Sequence, residues 1–161
     1  MTEHNPFSPP DADLNTLARD TLTEYVGFWP RLGASLIDSI LILMITAPIL
    51  YMVYGPTYFS ASAPVISGVV DGLLSWVFPI IAITLFWIKK SATPGKMLIH
   101  AVIVDKDTLQ PTTPGRLLLR YIGYYLSAIP LGLGFLWVAF DKRKQGWHDK
   151  IARTVVIRSY E

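Results

Sequence analysis

The sequence predicts an α-helical integral membrane protein: two full transmembrane helices, a third apolar segment broken by proline and glycine into a re-entrant helical hairpin or short helix pair, and a small cytoplasmic β-sheet. Three observations predict it. Only 16% of the 161 residues are charged, where a soluble domain carries about a quarter. The shortfall is local, since Asp71 is the one acidic or basic residue between Asp38 and Lys89, whereas twelve of the fourteen Lys and Arg lie from Lys89 onward. The third apolar run carries Pro130, Gly132 and Gly134 at its centre, the strongest helix punctuation in the chain.

Residues 1–24 contain Pro6, Pro9, Pro10, five acids and one arginine, with no sustained apolar period. They read as a disordered acidic, proline-rich tail. The tail lacks the basic stretch and small-residue cleavage site of a signal peptide, so the first span is expected to stay as an anchor. Tyr25, Phe28 and Trp29 form an interfacial approach to the first span, Leu32 to Val53, whose 22 residues hold one charge. At 1.5 Å per residue that length crosses about 30 Å of hydrocarbon. The uncharged, aromatic 54–64 connection suits the membrane interface. A second span follows over about 72–88, or from near Val65 with Asp71 in its first turns.

Six Lys or Arg between Lys89 and Arg120 place that stretch in the cytoplasm, the 54–64 loop outside and the N-terminus inside. Within it MLIHAVIVD reads as a strand, DKDT as its turn and LQPTT as a short return strand; ARTVVIRSY has the same character near the C-terminus. A single crossing by the third segment, about 116–140, would carry six more Lys or Arg outside and part the strands across the membrane. A hairpin broken near Pro130, entering and leaving by the cytoplasmic face, avoids both, provided it packs against other spans.

The chain has no cysteine, and His4, His100 and His148 are far apart. Thiol chemistry, iron–sulfur clusters and histidine-rich metal sites are therefore not expected, nor is any cofactor. With no compact nucleophile–base pair, no enzymatic activity is expected either. The basic residues flank apolar runs, so the net charge of +2 points to membrane orientation and not to nucleic acid.

Arg31 and Asp38 are seven residues apart, on nearly one helix face, with the aspartate about 10 Å deeper. A carboxylate at such depth costs on the order of 2.5–3.5 kcal/mol and needs a partner or water. Ala34, Ser35, Ser39 and Thr46 lie on or near that face, a small and polar stripe that should meet protein. Spacing leaves two readings open: a buried contact that fixes helix orientation, or an ion, proton or ligand site. Arg31 is expected to be neutralised by acids, Asp38 first and Asp149 second. Asp71, near the outer interface, reads as hydrated, and its Ser67, Gly68, Gly72 and Ser75 neighbours as a packing surface. The tail from Asp141 combines two acids, five bases and His148; such a cluster binds anionic lipid headgroups at about 1 kcal/mol per residue. Asp141 and Asp149 come near Arg31 if the hairpin returns to the same face. TPGK (Thr93 to Lys96) and TPGR (Thr113 to Arg116) read as turns, since neither has phosphate-loop spacing.

YVGFWPRLGASLIDS, TPGKMLIHAVIVD, GRLLLRYI and FDKRKQGWHDKIARTVVI, in this order, resemble the successive signatures of the RDD family of prokaryotic membrane proteins, over about Tyr25 to Arg158. The resemblance makes 25–158 one membrane domain, with 159–161 a short end, and the cytoplasmic (inner) membrane its location. It implies that Arg31 is the family arginine, Asp38 its first aspartate and Asp149 its second, with Asp141, His148 and Arg120 as secondary candidates. Where many relatives have Ala-Gly-Thr, this chain has Ala152, Arg153 and Thr154. The family has been associated with transport of unidentified ligands and, in some members, with cation/proton exchange. The expectation is transport of a small ligand, or monovalent cation/proton exchange, through an oligomer of this chain that supplies the missing walls; the alternative is a non-transporting accessory or assembly subunit of a membrane complex.

Overall fold

The computed structural model describes residues 22–159, so the acidic tail up to residue 21 and the last two residues lie outside the described part. The first long helix, α1 (Phe28–Tyr54), has 27 residues and begins four positions before the apolar run. It is about 40 Å long at 1.5 Å per residue, more than the hydrocarbon needs. Its first turns, with Arg31, therefore extend into the polar end of the fold. Gly55, at φ 71°, ends the helix and donates its N–H to the Tyr51 carbonyl. A 3₁₀ turn, Pro56–Phe59, follows.

The second long helix, α2 (Val69–Lys90), has 22 residues and is longer than the expected 72–88. It contains a π-helical turn, Leu73–Val77, just before Pro79. Proline has no N–H to give the carbonyl one turn back, and the widened turn accommodates that lost bond. Asp71 differs from expectation. It is buried, not hydrated, and accepts from the Tyr58 hydroxyl at 2.7 Å, the Ser67 N–H at 2.8 Å and the Ser75 hydroxyl at 2.8 Å. Those donors tie the 55–68 loop to α2, which is a structural role.

After α2 come a short helix α3 (Pro94–Leu98), strand β1 (Ala101–Asp105), helix α4 (Pro114–Ala128), the helical turn α5 (Leu133–Leu136) with its 3₁₀ extension Trp137–Ala139, helix α6 (Trp147–Ala152) and strand β2 (Thr154–Arg158). β1 and β2 pair antiparallel, with Ile103 opposite Val156. MLIHAVIVD is thus a strand only over its second half, because 94–98 coils into α3. The expected return strand LQPTT is reduced to one bridge, Val104 to Pro111. Pro111 has no N–H for a ladder. On the opposite edge of the sheet Tyr25 bridges Ile157 of β2, and Val26 donates to the Val156 carbonyl at 3.0 Å, so the approach to α1 is sheet-bound.

The third apolar segment is broken as expected. The axis turns by 113° between Pro114–Ala128 and Leu133–Ala139, with Leu131 and Gly132 in left-handed conformation at the corner. A core of Val26, Trp87, Ala101, Ile103, Leu117 and Val156 forms where the sheet meets α2 and α4. Against it sit the residues that matter next.

Candidate functional site

Asp149 is the centre of the polar end. It sits at the third position of α6 and accepts the Gly146 N–H at 3.1 Å, which closes one of the donors left open at a helix start. Its two oxygens take one arginine each. Arg31 Nη1 lies 2.5 Å from Oδ2, and Arg120 Nη2 lies 2.7 Å from Oδ1. Arg31 also donates through Nε to the Val26 carbonyl at 2.8 Å and through Nη2 to the Lys144 carbonyl at 2.6 Å. Burial alone would raise the Asp149 carboxyl, but the charge of Arg120, joined by Arg31, outweighs it and holds the group well below the usual carboxylate range. The aspartate therefore stays charged.

The expected order of Arg31's partners is reversed: Asp149 takes it and Asp38 does not. Asp38 accepts the Thr93 hydroxyl at 2.5 Å and the Gly95 N–H at 2.7 Å, both from the start of α3. TPGK is thus more than a turn; it is the receptor for the first aspartate. A side chain at position 95 would put its Cβ 2.0 Å from the Ala34 carbonyl oxygen, so only glycine lets α3 approach α1 closely enough. The small, polar stripe on α1 divides. Ala34 and Thr46 are buried, whereas Ser35 and Ser39 stay exposed along a cavity.

His148 lies against the Tyr124 and Phe135 rings, 4.5 and 5.2 Å between centroids. Burial pushes its imidazole down to about 3, so it is neutral at pH 7. Ser127 Oγ is 3.3 Å from its Nδ1, and the Asp149 carboxylate is 3.6 Å from Nε2. The resulting line of Ser, His and Asp is structural: the serine hydroxyl donates to the Gly123 carbonyl at 2.8 Å and is fully buried. Gly123 admits this arrangement, since a Cβ there would lie 2.8 Å from the His148 Cα. Asp141 does not reach Arg31. It accepts Lys150 Nζ at 2.6 Å and the N–H groups of Arg143 and Gln145, each at 3.1 Å. Burial would raise it, yet Lys150 and those N–H groups hold it below the usual range. Arg116 of TPGR pairs with Asp105.

Between the cluster and the long helices lies a cavity of about 300 Å³. Arg31, Asp38, Lys96, Arg120 and His148 form its polar wall, and Phe28, Leu32, Ile42, Ile83, Phe135 and Val138 its apolar one. A second, almost wholly apolar cavity of about 230 Å³ shares Asp38, Ile42, Ile83 and Thr93 with it and continues between α1 and α2. Sequence reasoning missed Trp87 and Lys96. Both are buried on the cavity wall, and nothing in an apolar run or a turn motif announces that.

The model of the RDD family matches residues 25–153. An uncharacterized protein of Rickettsia prowazekii is 39% identical over 74 residues, which are 46% of this chain and 40% of that relative's length. An uncharacterized protein of Bacillus subtilis is 25% identical over 146 residues, 81% of this chain and 95% of that relative. No solved structure matches.

Proposed function

The chain belongs to the RDD family, and from that premise we propose that it is a membrane carrier of a small ligand, held in the cavity between α1, α2 and the Arg31–Asp149–Arg120 cluster. The observation that carries this reading is the cavity itself. Six helical elements contribute to its wall, charged groups gather on one side of it, and an apolar slot continues from the other. Its volume of about 300 Å³ lies at the lower end of the range for small-molecule sites.

Twelve of the fourteen Lys and Arg lie from Lys89, in the last turn of α2, onward, which favours a cytoplasmic sheet end and a cytoplasmic N-terminus in the inner membrane. The 113° turn after α4 supports a hairpin that returns to that face. Binding at the cavity uses one chain's residues; passage across the bilayer is where a second copy supplies a wall. Basic side chains outnumber acids around the cavity and Asp38 is committed to two donors, so a molecule suits it better than a monovalent cation.

Solvent extraction and mass spectrometry of the purified protein test the reading, with Ser39→Trp as a variant whose cavity is filled from α1. A small molecule retained by the wild type and absent from the variant is the expected result. Equal contents would leave the accessory-subunit role standing. Collapse of a vesicle pH gradient by Na⁺, K⁺ or Li⁺, abolished by Asp38→Asn, would favour cation exchange instead.

A further inference from the structure

Arg120 is 1% exposed, and only Nη2 is engaged by a carboxylate; the Tyr124 hydroxyl lies beside the guanidinium, but Nε and Nη1 make no hydrogen bond of normal geometry among the described residues. The same holds for the indole N–H of Trp87, also 1% exposed, over whose ring the guanidinium lies at 5.5 Å. Buried donors without acceptors are costly, the more so when charged, and both residues line the cavity. Three cations face it or the carboxylates beside it, Arg31, Lys96 and Arg120, against two acids, Asp38 and Asp149. His148 is neutral, so one positive charge is left over.

The apolar slot supplies the rest of the ligand's description. The slot begins beside Ile42 and Ile83, within the polar cavity's own wall, and runs on past Ile45, Phe78 and Phe86. A free inorganic anion would leave that length unfilled, and a neutral hydrocarbon would leave the Arg120 and Trp87 donors orphaned.

We propose that the ligand is an anionic amphiphile taken from the membrane, with a carboxylate or phosphate head at the free Arg120 and Trp87 donors and an alkyl chain in the α1–α2 slot. This rests on the carrier reading. The head group adds the one negative charge that the cluster lacks, and Lys96 adds a second cation on the same wall. Loss of the head would cost the arginine its acceptor, whereas loss of the tail would cost only apolar contact.

Labelled hexadecanoate binding to the full chain in phosphatidylcholine nanodiscs tests the assignment, with empty nanodiscs as the partition background. Saturable binding near one per chain is expected. Competition by hexadecanol should be at least about tenfold weaker, and acetate or inorganic phosphate should not compete. Ile83→Trp, which fills the slot and leaves every charged residue in place, should weaken binding at least about tenfold, and Arg120→Met likewise if it folds. Equal competition by hexadecanol would overturn the head-group assignment, and competition by acetate or phosphate would make the site one for free anions. Binding no greater than to empty nanodiscs, or unchanged in Ile83→Trp, would overturn the proposal as a whole. If the molecule extracted from the wild type but not from Ser39→Trp proves uncharged or cationic, this inference falls while the carrier reading stands.

Discussion

Replacing Arg31, Asp38 and Asp149 by alanine, singly and in pairs, separates two networks that the sequence places on one helix face. Asp149→Ala leaves Arg31 and Arg120 buried without their shared carboxylate, a loss in the class of about 3–5 kcal/mol. Arg31→Ala is milder, because Asp149 keeps Arg120 at 2.7 Å; the Val26 and Lys144 carbonyls lose their donor but gain the space the side chain vacates, where water can reach them, so the loss is about 1–3 kcal/mol in all. In the double variant the Arg31–Asp149 contact is lost once instead of twice. The loss should therefore fall short of the sum by about 2 kcal/mol, within the span seen for partners in one network. Full recovery is not expected, since Arg120 stays unpaired. Arg31 and Asp38 have separate partners throughout, so their double variant should be additive within about 0.5 kcal/mol. Reversible unfolding in mixed dodecyl maltoside and dodecyl sulfate micelles, followed by tryptophan fluorescence, gives all the free energies. Additivity for Arg31 with Asp149, or coupling above about 1 kcal/mol for Arg31 with Asp38, would refute the division.

Stability should fall on acidification from pH 6.5, where an unfolded histidine begins to bind a proton that buried His148 refuses until about pH 3. At pH 4.5 the loss is roughly 2–3 kcal/mol, and His148→Phe should remove most of it; an unchanged pH profile in that variant would assign the slope elsewhere. Asp149 is not the source, because its folded carboxyl lies below the unfolded one, so its contribution is complete above about pH 4 and declines only below it. Gly95→Ala should destabilise by more than about 2 kcal/mol through the clash with the Ala34 carbonyl, while Gly115→Ala, with open space around it, should be neutral or gain up to about 1 kcal/mol of helix propensity. Arg153 holds a left-handed C-cap at φ 54°, so Arg153→Gly should raise the unfolding free energy by about 1 kcal/mol. An impermeant thiol reagent on intact cells should label a cysteine at Ser62 and spare one at Gln110, and the reverse pattern would invert the orientation.

Length, hydropathy and punctuation made the two long helices and the broken third segment legible, because each is a local property of its own residues. The turn at Leu131 and Gly132 falls one residue past Pro130, where a proline and two glycines pointed. Partner choice was another matter. Seven-residue spacing puts Arg31 and Asp38 on one face, but whether they meet depends on what docks there, and α3 docks on one while α6 docks on the other. The left-handed geometry at Arg153 was legible only through the family's Ala-Gly-Thr, since an arginine does not announce a glycine position. LQPTT shows the limit on strands: it lies at the open edge of β1, yet with so few residues, and a proline among them that has no N–H for a ladder, it pairs at the single bridge of Val104 to Pro111.

Arg31 and Asp149 are 118 residues apart, and that distance is also an interval of time. At a ribosomal pace of about 5–20 residues per second, the first arginine waits roughly 6–24 s for its carboxylate, and Arg120 waits alongside it once made. By its midpoint both long helices are synthesised, and once Arg120 follows, two guanidiniums face an unfinished interior. The apolar segments enter the bilayer on their own merits, but the polar end has no counter-charge until α6 arrives and β2 closes against β1. Asp149 thus acts as a keystone, set last into an arch whose other stones have been held apart by like charge, and a newborn chain that has not yet received it advertises its incompleteness as two bare arginines at the membrane surface.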